Sequence, residues 1–359
     1  MASQYLLVGR FILVLAAVFS ILIGHVSSHH GRGRVKHVQS GQRIQTAINA
    51  AHRGDRIFVE AGTYAEQLTI ETDGIALIGS DAILIPPPSP IQNTCSGLAG
   101  PDTQAGICVT GSGVDLAAFQ VEHRKVLSVT RPVQDVLISG FQVRNFSGEN
   151  IAVVGGHNAH VTRNELVDGA QYGFLTAGSK GTRAHDNVVT STSNLLFIGM
   201  CMDDMANAAV FSNHISGYYV GLCVQTDGAD VRMNTVRNTC NGVFVDPGVK
   251  GAKVRRNHIS TLNPACPKEL PAGGVFVDGA VNTKVEQNVV EGLTNGGTAV
   301  GIAIIDDPTT TPVSIASGNV IDHNILFHND VDIYVNTTGT GNVIVRNLCS
   351  TPEEYCKHK

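Results

Sequence analysis

The 359-residue chain has no tryptophan, few aromatic residues of any kind (5%) and only 15% charged residues. Charge this low excludes a helical bundle, which needs abundant Glu, Lys, Leu and Ala. A net charge of −5 leaves no basic stripe for a nucleic-acid surface. No Cys-x-x-Cys occurs among the eight cysteines, which turns the reading from metal binding toward disulfides. Beyond the N-terminus nothing approaches the ~18 consecutive apolar residues of a membrane helix. No run of like charge marks a disordered tail.

What the chain has is glycine, 39 of them, and a repeating strand. Gly199-Met-Cys-Met-Asp203, Gly221-Leu-Cys-Val-Gln225, Gly242-Val-Phe-Val-Asp246 and Gly274-Val-Phe-Val-Asp278 each open on glycine and end on a polar residue. A second marker runs in step: Asn164, Asn187, Asn213, Asn234, Asn257, Asn288, Asn324 and Asn347, spaced by 23, 26, 21, 23, 31, 36 and 23 residues. A strand-based unit of a little over twenty residues, with insertions at one point, predicts a β-solenoid.

The first 28 residues read as a secretion signal. Arg10 supplies the positive region, Phe11 to Ile23 the short apolar core, and Val26-Ser-Ser28 the cleavage site. The expected product is secreted and extracellular, free of the membrane after cleavage, and monomeric. Residues 29–36 are expected to be a flexible leader, although His29 beside His30 at a new N-terminus is also a copper-binding possibility. In an oxidising compartment the cysteines should pair. Cys95 with Cys108, Cys240 with Cys266 and Cys349 with Cys356 are the expected bridges; Cys201 and Cys223, on one row of neighbouring units, either bond or stack.

Gln42 to Ala51 places Ile44, Ala47, Ile48 and Ala51 on one helical face. Gly54-Asp55 ends that helix, and Arg56–Glu60, Gln67–Ile70 and Ile75–Ile78 read as strands. An open solenoid end needs such a cap over its unpaired backbone and bare core. With Gly41, Gln45, Ile57, Val59, Gly62, Tyr64, Glu66 and Leu68, this start resembles the secreted right-handed parallel β-helix proteins of the pectin-lyase-like superfamily. The resemblance continues through the coils to Asn347. It implies an all-β fold over residues 37–359: one right-handed parallel β-helix domain with a short N-terminal capping helix. The superfamily includes lyases, hydrolases, epimerases, adhesins and non-catalytic proteins, so fold alone does not choose among them.

Alternation along the strands puts Met200, Leu222, Val243, Val275 and Ile302 inside, with Met202, Val224, Val245, Val277 and Ile304. The asparagines are expected to form a buried structural ladder. The outward row reads Asp203, Gln225, Asp246 and Asp278, followed near the next coil by Asp306 and Asp307. Beside it lie Cys201, Cys223, Phe244 and Phe276, with Phe197 and Tyr219 beyond the glycines. Such a face suits a groove that stacks sugar rings and grips hydroxyls; strand-ending aspartates also cap turns. On the first reading Asp203, Asp246 and Asp278 are the candidate catalytic residues, and Phe197, Tyr219, Gln225, Phe244 and Phe276 bind substrate. Asp246 and Asp278, on adjacent coils, would match a retaining glycosidase pair or two ligands for Ca2+.

Histidines 185, 214, 258 and 323 stand beside ladder asparagines and read as solvated. Asn145-Phe-Ser and Asn336-Thr-Thr are glycosylation sequons. The loop from Ile85 to Gly113 and the insertions Leu262–Pro271 and Asp306–Gly318 are candidate groove walls, with coils resuming at Val126. Motifs of the enzyme families are largely missing. Arg131-Pro132 lacks the following arginine of the pectate lyases, and only Asp203-Asp204 echoes the polygalacturonase set. The expectation is therefore lyase, epimerase or hydrolase chemistry on an extracellular, acidic polysaccharide. The alternatives are a non-catalytic carbohydrate-binding or adhesin-type protein, or an enzyme of a small metabolite held on the same aromatic row.

Overall fold

The computed structural model describes residues 33–192 and 195–356. Its organising sheet has ten parallel strands, running from Leu68–Ile70 through Leu196–Asp203, Tyr218–Val224, Asn241–Val245 and Gly273–Asp278 to Val331–Asn336. Each strand pairs with its counterpart one coil away. The remaining coil strands are short pairs such as His160–Thr162 and Glu165–Val167, stacked parallel in a second, 20-stranded network. This is a right-handed parallel β-helix. No helix among the described residues is long and apolar enough to cross a membrane.

Register follows from the alternation. Met200, Leu222, Val243, Val275 and Ile302 stack in one row and are fully buried, as is the row from Met202 to Ile304. Their branched and unbranched aliphatic chains fill the interior that every coil shares.

The asparagine row is the ladder the spacing implies. Asn234 Nδ2 donates to Val210 O and to Asn257 Oδ1, both at 3.0 Å, and its backbone N–H donates to the same Oδ1. Asn164, Asn187, Asn213, Asn257, Asn288 and Asn324 repeat this pattern. The residue before each asparagine, from Arg163 to Arg346, has φ of 52–58°. A left-handed residue costs ~1–2 kcal/mol, and the paired amides offset this at every corner.

The cap is a helix over Ile44–Asn49, shorter than its apolar pattern, with Ile44 and Ile48 buried. Glu66 caps it from outside: its carboxylate accepts from Ile44 N at 2.7 Å and Gln45 N at 3.2 Å. Gln45 in turn pairs both ways with the backbone of Thr69, satisfying the exposed edge of the first strand in the ten-stranded sheet. Strand Val35–Val38 pairs with Arg56–Val59, so the coil already includes the last two residues of the expected leader. His29, His30 and the signal segment lie outside the described residues.

All eight cysteines pair: Cys95–Cys108, Cys201–Cys223, Cys240–Cys266 and Cys349–Cys356. Four bridges require an oxidising compartment outside the cytosol. Asn145 and Asn336 of the two sequons are exposed. One expectation fails. Coils do not resume at Val126: Ser112–Leu116 and Val126–Arg131 form an antiparallel hairpin, and the coil continues at Leu137–Arg144, which pairs with Ala76–Ile85.

Candidate functional site

The hairpin builds the site. It leaves the coil after Thr110 and runs over the outer face of the ten-stranded sheet. Gly178 makes room for it: a Cβ there would sit 2.4 Å from Val126 Cγ1, and its φ of +57° suits glycine. The tip is pinned by Arg124, whose N–H donates to Leu98 O and whose guanidinium donates to the carbonyls of Ala117 and Leu116.

That tip brings Glu122, His123 and Lys125 onto the polar row. His123 is 2% exposed, with Nδ1 3.1 Å from Tyr172 Oη and Nε2 2.9 Å from Asp203 Oδ2. Lys125 Nζ lies 3.1 Å from the same Asp203 oxygen and donates to Gln225 Oε1. Gln225 Nε2 donates to Glu122 Oε2 at 2.6 Å and also to Asp246 Oδ2. Burial first, then the charge of Glu122, pushes the Asp246 carboxyl well above the usual carboxylate range; the Gln225 hydrogen bond and Lys125 oppose this. Tyr172 is buried and its phenol is pushed far up by that burial.

Asp203, Gln225 and Asp246 therefore come together as the row implies, but around three hairpin residues. Asp278 is on the same row, half-buried, with Oδ1 lacking a hydrogen-bond partner. Burial raises its carboxyl to about 6, helped by Asp307 and Asp306. Its next neighbour on the row is Ile305, not Asp306 or Asp307. Asp306 instead caps a turn, accepting from Ala316 N and Thr338 N, and is lowered to about 2. Asp307 accepts from Thr309 within its own loop.

The aromatic residues flank a cavity of about 340 Å3 lined by Glu122, Phe197, Tyr219, Asn241, Phe244 and Asp278, among others. Phe244 stacks on Phe276 at 5.6 Å between ring centroids. Phe276 departs from the expected open platform: it is 3% exposed, hemmed in by the backbone at Gly273. The Leu262–Pro271 insertion does form a wall, tied down by Cys240–Cys266, with Leu270 and Pro271 on the cavity. Of the histidines read as solvated, His214 is exposed, His258 meets Glu291 at 2.6 Å, His323 meets Asp322 at 2.9 Å, and His185 stacks on Phe211.

Glu122, His123, Lys125 and Tyr172 were not foreseen. Their signal is the Glu-His-Arg-Lys run at 122–125, the densest charge in an otherwise sparsely charged stretch. Without the hairpin register nothing ties it to Asp203.

The model of the periplasmic copper-binding protein (NosD) family matches residues 48–263, more than half the chain. The chain belongs to the NosD family. No curated protein matches it. Among solved structures it is similar to the DFA-IIIase from Arthrobacter chlorophenolicus A6 without its lid. The TM-score is 0.57 and the identity 11%, over 85% of this chain and 86% of that one. It is also similar to the PL6 family alginate lyase AlyGC, with TM-score 0.55 and 14% identity over 84% of this chain and 40% of that one. At these identities the likeness shows the β-helix fold.

Copper does not fit this site. The ligand atoms of Glu122, Cys223 and Asp246 lie within 4.8 Å of one another, but the Cys223 sulfur is bonded to Cys201. That leaves carboxylates, which suit hard cations, whereas copper favours imidazole or thiolate. Both nitrogens of His123 are already engaged. In that group Glu122 and Asp246 are the carboxylates that could hold Ca2+, with Gln225 between them.

Proposed function

We propose that this NosD-family chain is a secreted, extracellular enzyme that binds a polysaccharide in the aromatic groove and cleaves its glycosidic bonds. The observation that carries this reading is the Glu122–Gln225–Asp246 contact, in which burial and then a neighbouring carboxylate raise the Asp246 carboxyl well above its ordinary range. Asp203, facing the same hairpin tip, is held by Lys125 and His123. A proton-bearing carboxyl beside a second carboxylate is the pairing a glycosidase uses: one protonates the leaving oxygen, the other serves as base or nucleophile. Asp246 is the proposed acid and Asp203 its partner. Phe197, Tyr219 and Phe244 stack the sugar rings, and Asp278 accepts from hydroxyls.

Lyase and epimerase chemistry have less to work with. Both need a free base at the sugar C5 proton and a cation for the uronate. Of the cations at the tip, Lys125 is already paired with Asp203 and Arg124 with the Ala117 and Leu116 carbonyls, and Tyr172 is buried with a phenol that resists ionisation. The alginate lyase named above is an enzyme of a polysaccharide on this scaffold, which supports a glycan ligand.

The test is a panel of pectate, alginate, inulin and neutral glucans read for reducing ends and for ultraviolet-absorbing unsaturated ends. Reducing ends that vanish in Asp246→Asn, with binding kept, are expected. Unsaturated ends would refute the hydrolytic mechanism. Binding without any product would favour the non-catalytic alternative.

A further inference from the structure

The groove is built asymmetrically along the helix axis, and this bears on how a glycan enters it. On the outer face, Ala152, Leu175 and Cys201 occupy one row on successive coils, and all three are fully buried. The loop around Cys95–Ala105 and the hairpin cover them, and Ile198 beside them is also buried. The coils of Ala152 and Leu175 are therefore closed to a ligand, while the coil of Cys201 still presents Phe197 to the cavity and Asp203 at its edge.

On the next coils the same row becomes Cys223, Phe244, Phe276, Ala303 and Tyr334. Cys223, Phe276 and Ala303 form a buried floor, whereas Phe244 is half-buried and Tyr334 is 45% exposed. A second cavity, of about 420 Å3, opens here between Phe276, Ala303, Val331 and Tyr334. It shares Leu270, Pro271, Phe276 and Ile305 with the cavity at Glu122. The two adjoin across these shared walls and follow one another from the hairpin tip to the last coil, and together they are called the trough. From Phe244 to Tyr334 is three rungs, ~14 Å at the spacing of parallel strands, the length of a short oligosaccharide. Its lining is apolar and aromatic, with Lys268 and Glu269 at the rim.

The trough thus has a blind end and an open end. The blind end is the hairpin tip, where Glu122 forms part of the wall and His123 fills the space between Tyr172 and Asp203. Glu122 and Asp278 line the cavity at that end, and the proposed reacting carboxyls Asp246 and Asp203 stand behind Glu122, joined to it through Gln225 and Lys125.

We infer that the site takes the terminus of a glycan chain, with the Phe276–Tyr334 stretch binding the body of the chain and the 112–131 hairpin stopping its end. This rests on the glycan reading above and adds its mode: one terminus is admitted, and short products are released from it. The hairpin is the specificity-determining element, because it occupies the coils on which a through-going chain would continue.

Binding tests this without requiring turnover. Oligomers of two to six residues from pectate, alginate and inulin are titrated into Asp246→Asn. Each is used free, with a bulky fluorophore on the reducing end, or with the same block on the other end. One blocked series is expected to bind like the free oligomer, and the other to lose at least about tenfold. Equal behaviour of the two blocked series, whether bound or unbound, overturns the inference while leaving the glycan reading intact. Failure of every free oligomer to bind overturns both. Tyr334→Ala supplies a second reading. Six-residue oligomers should bind several-fold more weakly and two-residue ones unchanged; an unaffected six-residue oligomer would remove the open end from the trough.

Discussion

Glu149 makes the most exacting test of the electrostatics, because it is wholly buried and neither carboxyl oxygen has a hydrogen-bond partner. It begins the strand Glu149–Val154 and stands opposite Tyr172 of the next coil. Burial lifts its carboxyl from the ordinary 4.5 to about 8, so in the folded protein it carries a proton at neutral pH. The sign follows from linkage. Between those two values the folded chain binds more protons than the unfolded one, so stability is fullest below pH ~4.5 and is lost as pH rises toward ~8. At pH 7 the loss is about 3 kcal/mol, at ~1.4 kcal/mol per pH unit. Glu149→Gln cannot ionise and should escape it. The amide leaves buried donors unmet at a cost of ~1–3 kcal/mol, but that cost does not vary with pH. The pH-dependent part therefore isolates the carboxyl. Relative to the parent, Glu149→Gln should be roughly 4 kcal/mol more favourable at pH 8.5 than at pH 5. Melting scans at one fixed rate over that range would show the variant gaining several degrees on the parent. A constant offset across the range would refute the reasoning, since it would mean that the carboxyl has solvation or a partner in the fold.

Other consequences are as direct. Asn234→Ala removes both Nδ2 bonds, strands the backbone N–H of Asn213 and takes one of the bonds of its amide, and should cost on the order of 3 kcal/mol in denaturant unfolding. If Asp246 is the acid, activity falls as pH rises through its raised pKa. Glu122→Gln removes a charge that raises Asp246, so the alkaline limb of the pH–rate profile should move to lower pH; an unmoved limb would separate Glu122 from the acid. Replacing both Cys240 and Cys266 by serine should leave the coils folded by circular dichroism and weaken oligosaccharide binding, because the bridge holds the wall at Leu270 and Pro271.

The fold was legible because a solenoid writes its core once per coil. Val243 sees Leu222 and Val275 as its strand neighbours, and the period of the pattern states that without any knowledge of distant loops. The ladder was legible for the same reason: Asn234 has one environment, repeated in its neighbours on the row. The cap was legible as an apolar helical face, although its actual closure depends on Glu66 and Gln45, whose partners are more than twenty residues away.

The site obeys a different logic. Asp203, Gln225 and Asp246 could be placed on one outer row, because alternation and register put them there. What surrounds them comes from a non-repeating excursion some 80 to 103 residues earlier in the chain. A hairpin has no period to reveal its landing point. Small residues such as Gly178 against Val126 and Gly155 against Val129 record where it lies, and among 39 glycines they are no signal. The same excursion alters the chemistry expected from the strands alone. Asp246 meets Glu122 through Gln225, and Asp203 acquires Lys125 and His123. The scaffold thus sets the height of each carboxyl, and the inserted loop decides what each of them meets.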